Sequence, residues 1–196
     1  IDGFKVQNCG GGLYESGIYT NASNSQIINN ILFNNEKGAY ASNTGASTIQ
    51  CNLFDSNNRV GPAGQVAIYS FTSNALSVLN NEFKGQTANS VAIFDGGTGH
   101  SNLIFNNNYL HDNDPGSSAI YAAYITSGEF AGNVITNGRR GIKVAGGNSD
   151  INIHNNTMSG TVQADVMIDI DFGVNSTIEI HNNSLTGTVS ILNNDV

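Results

Sequence analysis

Two segments near the C-terminal end, Ile153-His-Asn-Asn-Thr-Met158 and Ile180-His-Asn-Asn-Ser-Leu185, contain the pattern that decides the fold of this chain. The pattern is an apolar residue, two variable residues, an asparagine, one variable residue and a large apolar residue. It occurs seven times, at intervals of 22 to 29 residues, with its asparagine at Asn30, Asn52, Asn81, Asn107, Asn133, Asn156 and Asn183. Self-similarity along the whole chain predicts a repeat protein, in which each unit packs on the next.

A second pattern precedes each asparagine motif, and it usually has a small residue, an apolar residue and then a larger side chain. The larger side chains are Tyr19, Tyr40, Tyr69, Phe94, Tyr121, Lys143 and Asp169. Their spacing lengthens and shortens together with the spacing of the asparagines, to within one residue. Because the two patterns keep step, each repeat is predicted to contain the same short strands, joined by turns rich in Gly, Ser and Asn.

Strands that return to the same place once per repeat stack in parallel, about 4.8 Å apart, so the sequence predicts an all-β solenoid. Leucine-rich repeats have a similar period, but they need leucine at fixed positions, and this chain has only nine leucines. A helical bundle is disfavoured because 31 of the 196 residues are Asn and 23 are Gly, both poor helix formers. We expect residues 1–196 to form one domain.

The charge of the chain excludes some classes of partner. It has 15 acidic and 7 basic residues, which give a net charge of −8. Nucleic acid is not expected to bind, because phosphate recognition needs a basic stripe that this sequence lacks. No apolar run approaches the roughly 20 residues that a membrane-spanning helix requires, so no membrane span is predicted.

The repeats resemble those of the right-handed parallel β-helix superfamily, the pectin-lyase-like and NosD-type solenoids. The resemblance rests on the two segments quoted above and on the opening Ile1-Asp-Gly-Phe-Lys-Val-Gln-Asn8, and it extends to about Val189. It implies a right-handed, single-stranded parallel β-helix of about seven to eight coils with an internal asparagine ladder. Since neither end shows a cap, we expect the domain to be excised from a longer chain.

The asparagine column is expected to face inward. In an extended strand, the apolar residue two positions after the asparagine lies on the same side as the asparagine. A buried amide can bond the backbone and the amides of neighbouring coils, so we interpret the column as a structural ladder. The alternative is an outward row of asparagines that binds sugar.

The second column is expected to face outward, because the apolar residue before each of its members points inward. In the resembling lyases and hydrolases the substrate groove runs along one such sheet. By that resemblance, the residues expected to bind substrate are Tyr19, Tyr40, Tyr69, Phe94 and Arg139. The alternative is that the stacked rings only stabilise one another across strands.

Charged residues cluster at the C-terminal end of this column, and the candidate catalytic residues are Tyr121, Arg140, Lys143, Asp169 and Asp171. In a lyase acting on uronic acids, Lys143 or an arginine would remove the α-proton and Tyr121 would donate to the leaving oxygen. In a hydrolase, Asp169 and Asp171 would form the carboxylate pair. Their separation of about 6.5 to 7 Å along one strand falls between the retaining and inverting distances, so it chooses neither mechanism.

No cofactor or resident metal is expected. Calcium has one candidate position, at Asp112 and Asp114, in a segment that is first of all a good turn. His154 and His181 occupy the same position in successive repeats, but no third ligand accompanies them.

Cys9 and Cys51 fall two coils apart, which corresponds to about 9 to 10 Å of stacking rise. A disulfide needs Cα atoms within about 7 Å. Both thiols are therefore predicted to be free, and they do not indicate an oxidising compartment.

Two functional hypotheses follow. The first is a secreted or cell-surface module that binds a polysaccharide along the outward aromatic and charged residues and, if it is an enzyme, cleaves it as a lyase or a hydrolase. The second is a structural or adhesive surface solenoid without catalysis, whose subunits stack end to end into a fibre.

Overall fold

The computed structural model describes residues 1–10, 15–58, 65–87, 89–96, 99–114, 116–169 and 177–192. These residues form 21 β-strands and no helix, so they contain no helix that could cross a membrane. In chain order the strands are β1 (Lys5–Gln7), β2 (Ile18–Thr20), β3 (Gln26–Ile28), β4 (Ile31–Phe33), β5 (Lys37–Ser42), β6 (Ser47–Gln50), β7 (Leu53–Asp55), β8 (Val66–Phe71), β9 (Leu76–Leu79), β10 (Glu82–Lys84), β11 (Ala92–Asp95), β12 (Leu103–Asn106), β13 (Tyr109–His111), β14 (Ile120–Ala123), β15 (Gly128–Ala131), β16 (Val134–Ala145), β17 (Ile151–His154), β18 (Thr157–Asp169), β19 (Ile178–His181), β20 (Ser184–Leu185) and β21 (Val189–Leu192).

The strands build three faces, which the chain visits in a fixed order. Face A contains β2, β5, β8, β11, β14, the C-terminal halves of β16 and β18, and β21. Face B contains β3, β6, β9, β12, β15, β17 and β19, and face C contains β1, β4, β7, β10, β13, the N-terminal halves of β16 and β18, and β20. All pairings are parallel, and face B has seven strands, so the predicted parallel β-solenoid is confirmed, with about seven turns.

The corners between the faces explain the high asparagine content. Twenty non-glycine residues of the described chain have a positive φ, and twelve of them are asparagines. Asparagine adopts this left-handed conformation more readily than most residues do, because its short polar side chain can bond locally. One such corner column lies two residues before the strands of face C and contains Asn29, Cys51, Asn80, Asn107, Asn155 and Asn182.

The asparagine ladder lies directly behind this corner column, inside the solenoid. Its members are Asn30, Asn52, Asn81, Asn108, Asn133, Asn156 and Asn183. In each step the side-chain Nδ2 donates to Oδ1 of the asparagine one coil later, at 2.9–3.2 Å. Nδ2 also donates to a backbone carbonyl, as Asn81 does to Ile49 at 2.9 Å. Each amide therefore links coils through both its nitrogen and its oxygen.

The fourth position of the ladder is Asn108, so the prediction of Asn107 is wrong by one residue. Phe105 pairs with Val78, which sets Asn108 beside Asn81. Asn107 has a φ of 58° and occupies the exposed corner instead. Residues 106–108 are all asparagines, so the sequence pattern fits two registers, and only the packing of the apolar residues selects one.

Between the faces lies an apolar core built from one or two inward side chains per strand. The ring centroids of Phe54 and Phe83 are 4.8 Å apart, and those of Phe83 and Phe105 are 6.0 Å apart. Burying each such side chain stabilises the fold by about 1.5 to 3 kcal/mol. Because alternate residues must point inward, this core fixes which residues point outward on each face.

Candidate functional site

The outer surface of face A carries most of the aromatic and charged residues that the sequence singles out. The strand register aligns one residue per coil on the side away from the core, in the order Tyr19, Tyr40, Tyr69, Ile93, Tyr121, Lys143 and Met167. Tyr40 and Met167 are nevertheless buried. We call this row the tyrosine column. Five of its members were predicted, and two differ.

Phe94 does not belong to this surface. Ile93 is the residue that pairs with Tyr69 and Tyr121. Phe94 points inward, is 0% exposed and packs edge to face on Phe105, with the ring centroids 5.7 Å apart. The segment Ala92-Ile93-Phe94 repeats the order small, apolar, aromatic, but it sits one residue out of register. A slip of one residue exchanges the two sides of a strand.

The first three tyrosines form a continuous stack across β2, β5 and β8. The ring centroids of Tyr19 and Tyr40 are 5.3 Å apart and those of Tyr40 and Tyr69 are 5.1 Å apart, both with edge-to-face geometry. Tyr19 is 44% exposed, Tyr69 is partly exposed and Tyr40 is only 7% exposed. The middle ring therefore supports its neighbours, whereas the outer two are accessible to a ligand.

Asp95 lies on the outward side of β11 and influences two tyrosines. Burial and the negative charge of Asp95 raise the pKa of the Tyr69 hydroxyl. Burial and Asp95 likewise raise the pKa of the Tyr121 hydroxyl, with a further contribution from Asp169. Both hydroxyls therefore stay protonated at neutral pH, and each can donate a hydrogen bond to a ligand oxygen.

Lys143 and Asp169 form an ion pair at the far end of the surface. The Lys143 Nζ lies 2.7 Å from Asp169 Oδ2, and both side chains are largely shielded from solvent. The same Nζ lies 5.8 Å from the centroid of the Tyr121 ring, in a cation–π arrangement. The structure thus brings together Tyr121, Lys143 and Asp169.

Asp169 reaches Lys143 from a neighbouring row and not from the tyrosine column itself. Strand β18 pairs Met167 with Lys143, and it pairs Asp169 with Ala145. The predicted alignment was therefore two residues out, but a shift of two residues keeps a side chain on the same face. Asp171 lies outside the described residues.

Arg139 and Arg140 lie at the corner between faces C and A, where the register shifts between Gly138 and Arg140. Arg139 is exposed, and its Nε donates to Gln163 Oε1 at 3.1 Å. Burial and the neighbouring Arg139 lower the pKa of Arg140, while Asp169 opposes this effect. The Arg140 Nε is buried and has no hydrogen-bond partner in the described part of the chain.

The Lys143 Nζ and Asp169 Oδ2 atoms are already 2.7 Å apart, so a ligand at this end of the surface would meet an ion pair and not two separate charged groups. Glycoside hydrolases need two carboxyl groups about 5 to 9.5 Å apart. Asp95 and Asp169 share one outward row but are three strands apart, which is about 14 Å.

The candidate calcium residues lie in the turn that follows β13, beside face C. The Asp112 Oδ2 and His111 Nδ1 atoms are 2.8 Å apart, and His111 Nε2 is 3.0 Å from Glu82 Oε1. Asp114 is exposed. Within the described ranges, no group of three or more His, Cys, Asp or Glu side chains is arranged to hold a metal ion.

His154 and His181 stack on face B with their ring centroids 5.1 Å apart and their planes nearly parallel. The His154 Nε2 is 2.9 Å from Glu129 Oε1, so this ring already has a carboxylate partner. Cys9 and Cys51 are both free, as predicted.

Asp95 is the surface residue that the sequence pattern did not single out. The predicted alignment placed Phe94 outward, and it therefore assigned Asp95 to the interior. Strict alternation along β11 assigns both residues correctly, because it places Ala92 and Phe94 inside and Ile93 and Asp95 outside.

A search against protein-family models matches residues 56–196, more than half of the chain, to a model described as a right handed beta helix region. No curated protein matches the chain.

Proposed function

The chain belongs to the right-handed β-helix family, and from this premise we propose that the outer surface of face A binds a polysaccharide that lies along the solenoid axis. The observation that carries the proposal is the row of accessible tyrosines on successive strands, Tyr19, Tyr69 and Tyr121, which ends at the Lys143–Asp169 ion pair.

The spacing of this row suits a sugar chain. Strands stack about 4.8 Å apart, which is close to the length of one sugar unit along an extended glycan. Tyrosine supplies both an apolar ring face and a hydroxyl, the combination that suits a sugar with apolar and polar sides. The sheet below and the contacts between neighbouring rings restrict the ring positions, so less side-chain entropy is lost when the ligand binds.

Within the proposal, the Lys143 ammonium donates to sugar oxygens at one end of the site. Asp169, the less exposed member of the ion pair, holds that ammonium in position. On this proposal the module works outside the cell or at its surface, where long polysaccharides are found.

A second candidate is a structural solenoid in which the tyrosines serve only to pack against one another. The burial of Tyr40 and the edge-to-face geometry of the first three rings favour it. The two candidates differ in what they require of Tyr121, which is separated from that stack by Ile93.

The test is a glycan array followed by affinity electrophoresis with the polysaccharides that bind. We expect the double variant Tyr69→Ala, Tyr121→Ala to bind at least about tenfold more weakly, since two aromatic contacts contribute about 1.4 kcal/mol or more in total. The matched control is Tyr109→Ala, which removes a tyrosine of 46% exposure from face C and should leave binding unchanged.

Equal binding by wild type and the double variant would refute the surface as the site. A wild type that binds no glycan would leave the structural candidate. Circular dichroism and urea unfolding establish that each variant is folded.

A further inference from the structure

We infer that this surface selects uncharged, hydroxyl-rich glycans over glycans that carry carboxylate or sulfate groups, and that Asp95 is the residue that makes the selection. The inference rests on the proposed function and specifies the substrate class of the same site.

The tyrosine column is interrupted at Ile93. This residue replaces an aromatic ring between Tyr69 and Tyr121, so a glycan that contacts both tyrosines crosses one coil without a ring beneath it. Asp95 lies two residues along the same strand and on the same side. The gap in the column is therefore bordered by a carboxylate.

The strand register sets the position of that carboxylate, because Ile93 pairs with both Tyr69 and Tyr121 and Asp95 lies on the same side of β11 as Ile93. In keeping with this position, burial and the charge of Asp95 raise the pKa of both tyrosine hydroxyls. The Gly96 N–H donates to Asp95 Oδ1 at 2.7 Å, and the Asp95 carbonyl oxygen lies 2.9 Å from His100 Nε2. These two contacts orient the Asp95 carboxylate and its backbone carbonyl at the end of β11.

The charges on this surface leave Asp95 apart from the cations. No cation forms an ion pair with Asp95 among the residues that the structure describes. Lys143 lies two strands away and is already paired with Asp169. Arg139 and Arg140 lie at the corner beside the Asp169 end of the surface, where the charge of Asp169 acts on Arg140, and neither forms an ion pair with Asp95 in the described part of the chain.

A carboxylate without a cation accepts hydrogen bonds from sugar hydroxyls but repels a carboxylate or sulfate group placed beside it. The net charge of −8 adds a weaker, long-range repulsion of polyanions. Both effects act in the same direction, toward neutral chains.

The experiment compares matched polysaccharides that differ mainly in charge. Native gels would contain hydroxyethyl cellulose or carboxymethyl cellulose, fully methyl-esterified or free polygalacturonate, and dextran or dextran sulfate. In every pair that binds, we expect the neutral member to retard the wild type more strongly, by about threefold to tenfold at low salt. The difference should shrink in 0.5 M salt, because salt screens exposed charges.

The Asp95→Asn variant keeps the shape of the side chain and its capacity to accept hydrogen bonds. It should gain about threefold to tenfold in affinity for the charged members, with little change for the neutral ones. The matched control Glu179→Gln removes the same charge from an exposed position on face B and should change neither.

The outcomes separate the inference from the proposal on which it rests. Stronger binding of the charged members by wild type would overturn the inference and leave the binding surface standing. Equal gains from Asp95→Asn and Glu179→Gln would show an effect of net charge alone, which also overturns the role of Asp95. Binding to no member of any pair would refute the proposed function itself. If Asp95→Asn fails to fold, Asp95→Ser takes its place in the same comparison with Glu179→Gln, because serine also removes the charge and keeps a hydrogen-bonding oxygen.

Discussion

The asparagine ladder and the tyrosine column are both rows of one residue type, but the first lies inside the solenoid and the second outside. The ladder runs without a break from Asn30 to Asn183, and each amide bonds the next. The tyrosine column holds three adjacent rings and then changes to Ile93, Tyr121 and Lys143.

This difference shows where the fold constrains the sequence. A buried amide that loses its partner costs about 1 to 3 kcal/mol, so a gap in the ladder would destabilise two neighbouring coils. An outward side chain has fewer obligatory partners, so the row is free to vary from coil to coil. The variation in the tyrosine column is what gives the surface a distinct chemistry along its length.

The largest effect is expected from a break in the middle of the ladder. Asn81 donates to the Ile49 carbonyl and to Asn108, and it accepts from both the backbone and the side chain of Asn52. Asn81→Ala should lower the free energy of unfolding by about 3 to 5 kcal/mol, because several buried groups lose their partners together. Equilibrium unfolding in urea measures the change.

The adjacent residue provides the control. Asn80 has a φ of 55° and lies at the exposed corner, and glycine adopts this conformation without strain. Asn80→Gly should therefore change the free energy of unfolding by less than about 1 kcal/mol. Similar losses for the two variants would show that the inner ladder is no more important than the corner, and the comparison would fail.

The sequence was sufficient for the architecture but not for every register. The spacing of the repeats predicts the parallel solenoid, and the apolar residues around each asparagine predict that the column faces inward. Phe94 and Asn107 were each placed one residue from their true position, because the coils differ in length and neighbouring residues fit the same pattern. Since a slip of one residue exchanges inside and outside, an error this small changes which side chains reach a ligand.

The ion pair could not be predicted for a different reason. The sequence brings Lys143 and Asp169 to the same face, but the 2.7 Å contact depends on the pairing of β16 with β18. That pairing includes a register shift at Gly138, which no repeat pattern specifies.

Acid should weaken the inside of the solenoid through His100, a buried polar residue that, unlike asparagine, can titrate. The Ser73 N–H donates to His100 Nδ1 at 3.2 Å, so the ring is neutral with its proton on Nε2. Burial lowers the pKa of His100 below its ordinary value near 6.5. Between the lowered pKa and 6.5 the unfolded chain binds a proton that the folded chain does not. The stability that the neutral His100 ring contributes to the fold is therefore fully present above about pH 6.5, and it is lost as the pH falls.

The measurement is urea unfolding at pH 7.5 and pH 5.5. Wild type should lose about 1 kcal/mol more than His100→Asn over this interval, because asparagine can accept the Ser73 hydrogen bond without titrating. The remaining histidines are present in both proteins, so their contribution cancels in the comparison. An identical loss in the two proteins would mean that His100 titrates as it does in the unfolded chain.

The smallest effect is expected for the coupling between two rings of the tyrosine column, and it tests whether the rings support one another. Tyr40 is 7% exposed and contacts both Tyr19 and Tyr69 edge to face, so Tyr40→Leu should cost about 1 to 2 kcal/mol of unfolding free energy. Tyr19 is 44% exposed and contacts one described ring, so Tyr19→Leu should cost less, about 0.5 to 1 kcal/mol. In a double-mutant cycle the two substitutions should couple by about 0.5 to 1 kcal/mol, because each single change removes the same ring contact.

A coupling near zero would show that the edge-to-face stack does not stabilise the column. The strands alone would then hold the rings in line. The presence of a tyrosine at position 40 would have to be explained by ligand binding and not by ring packing.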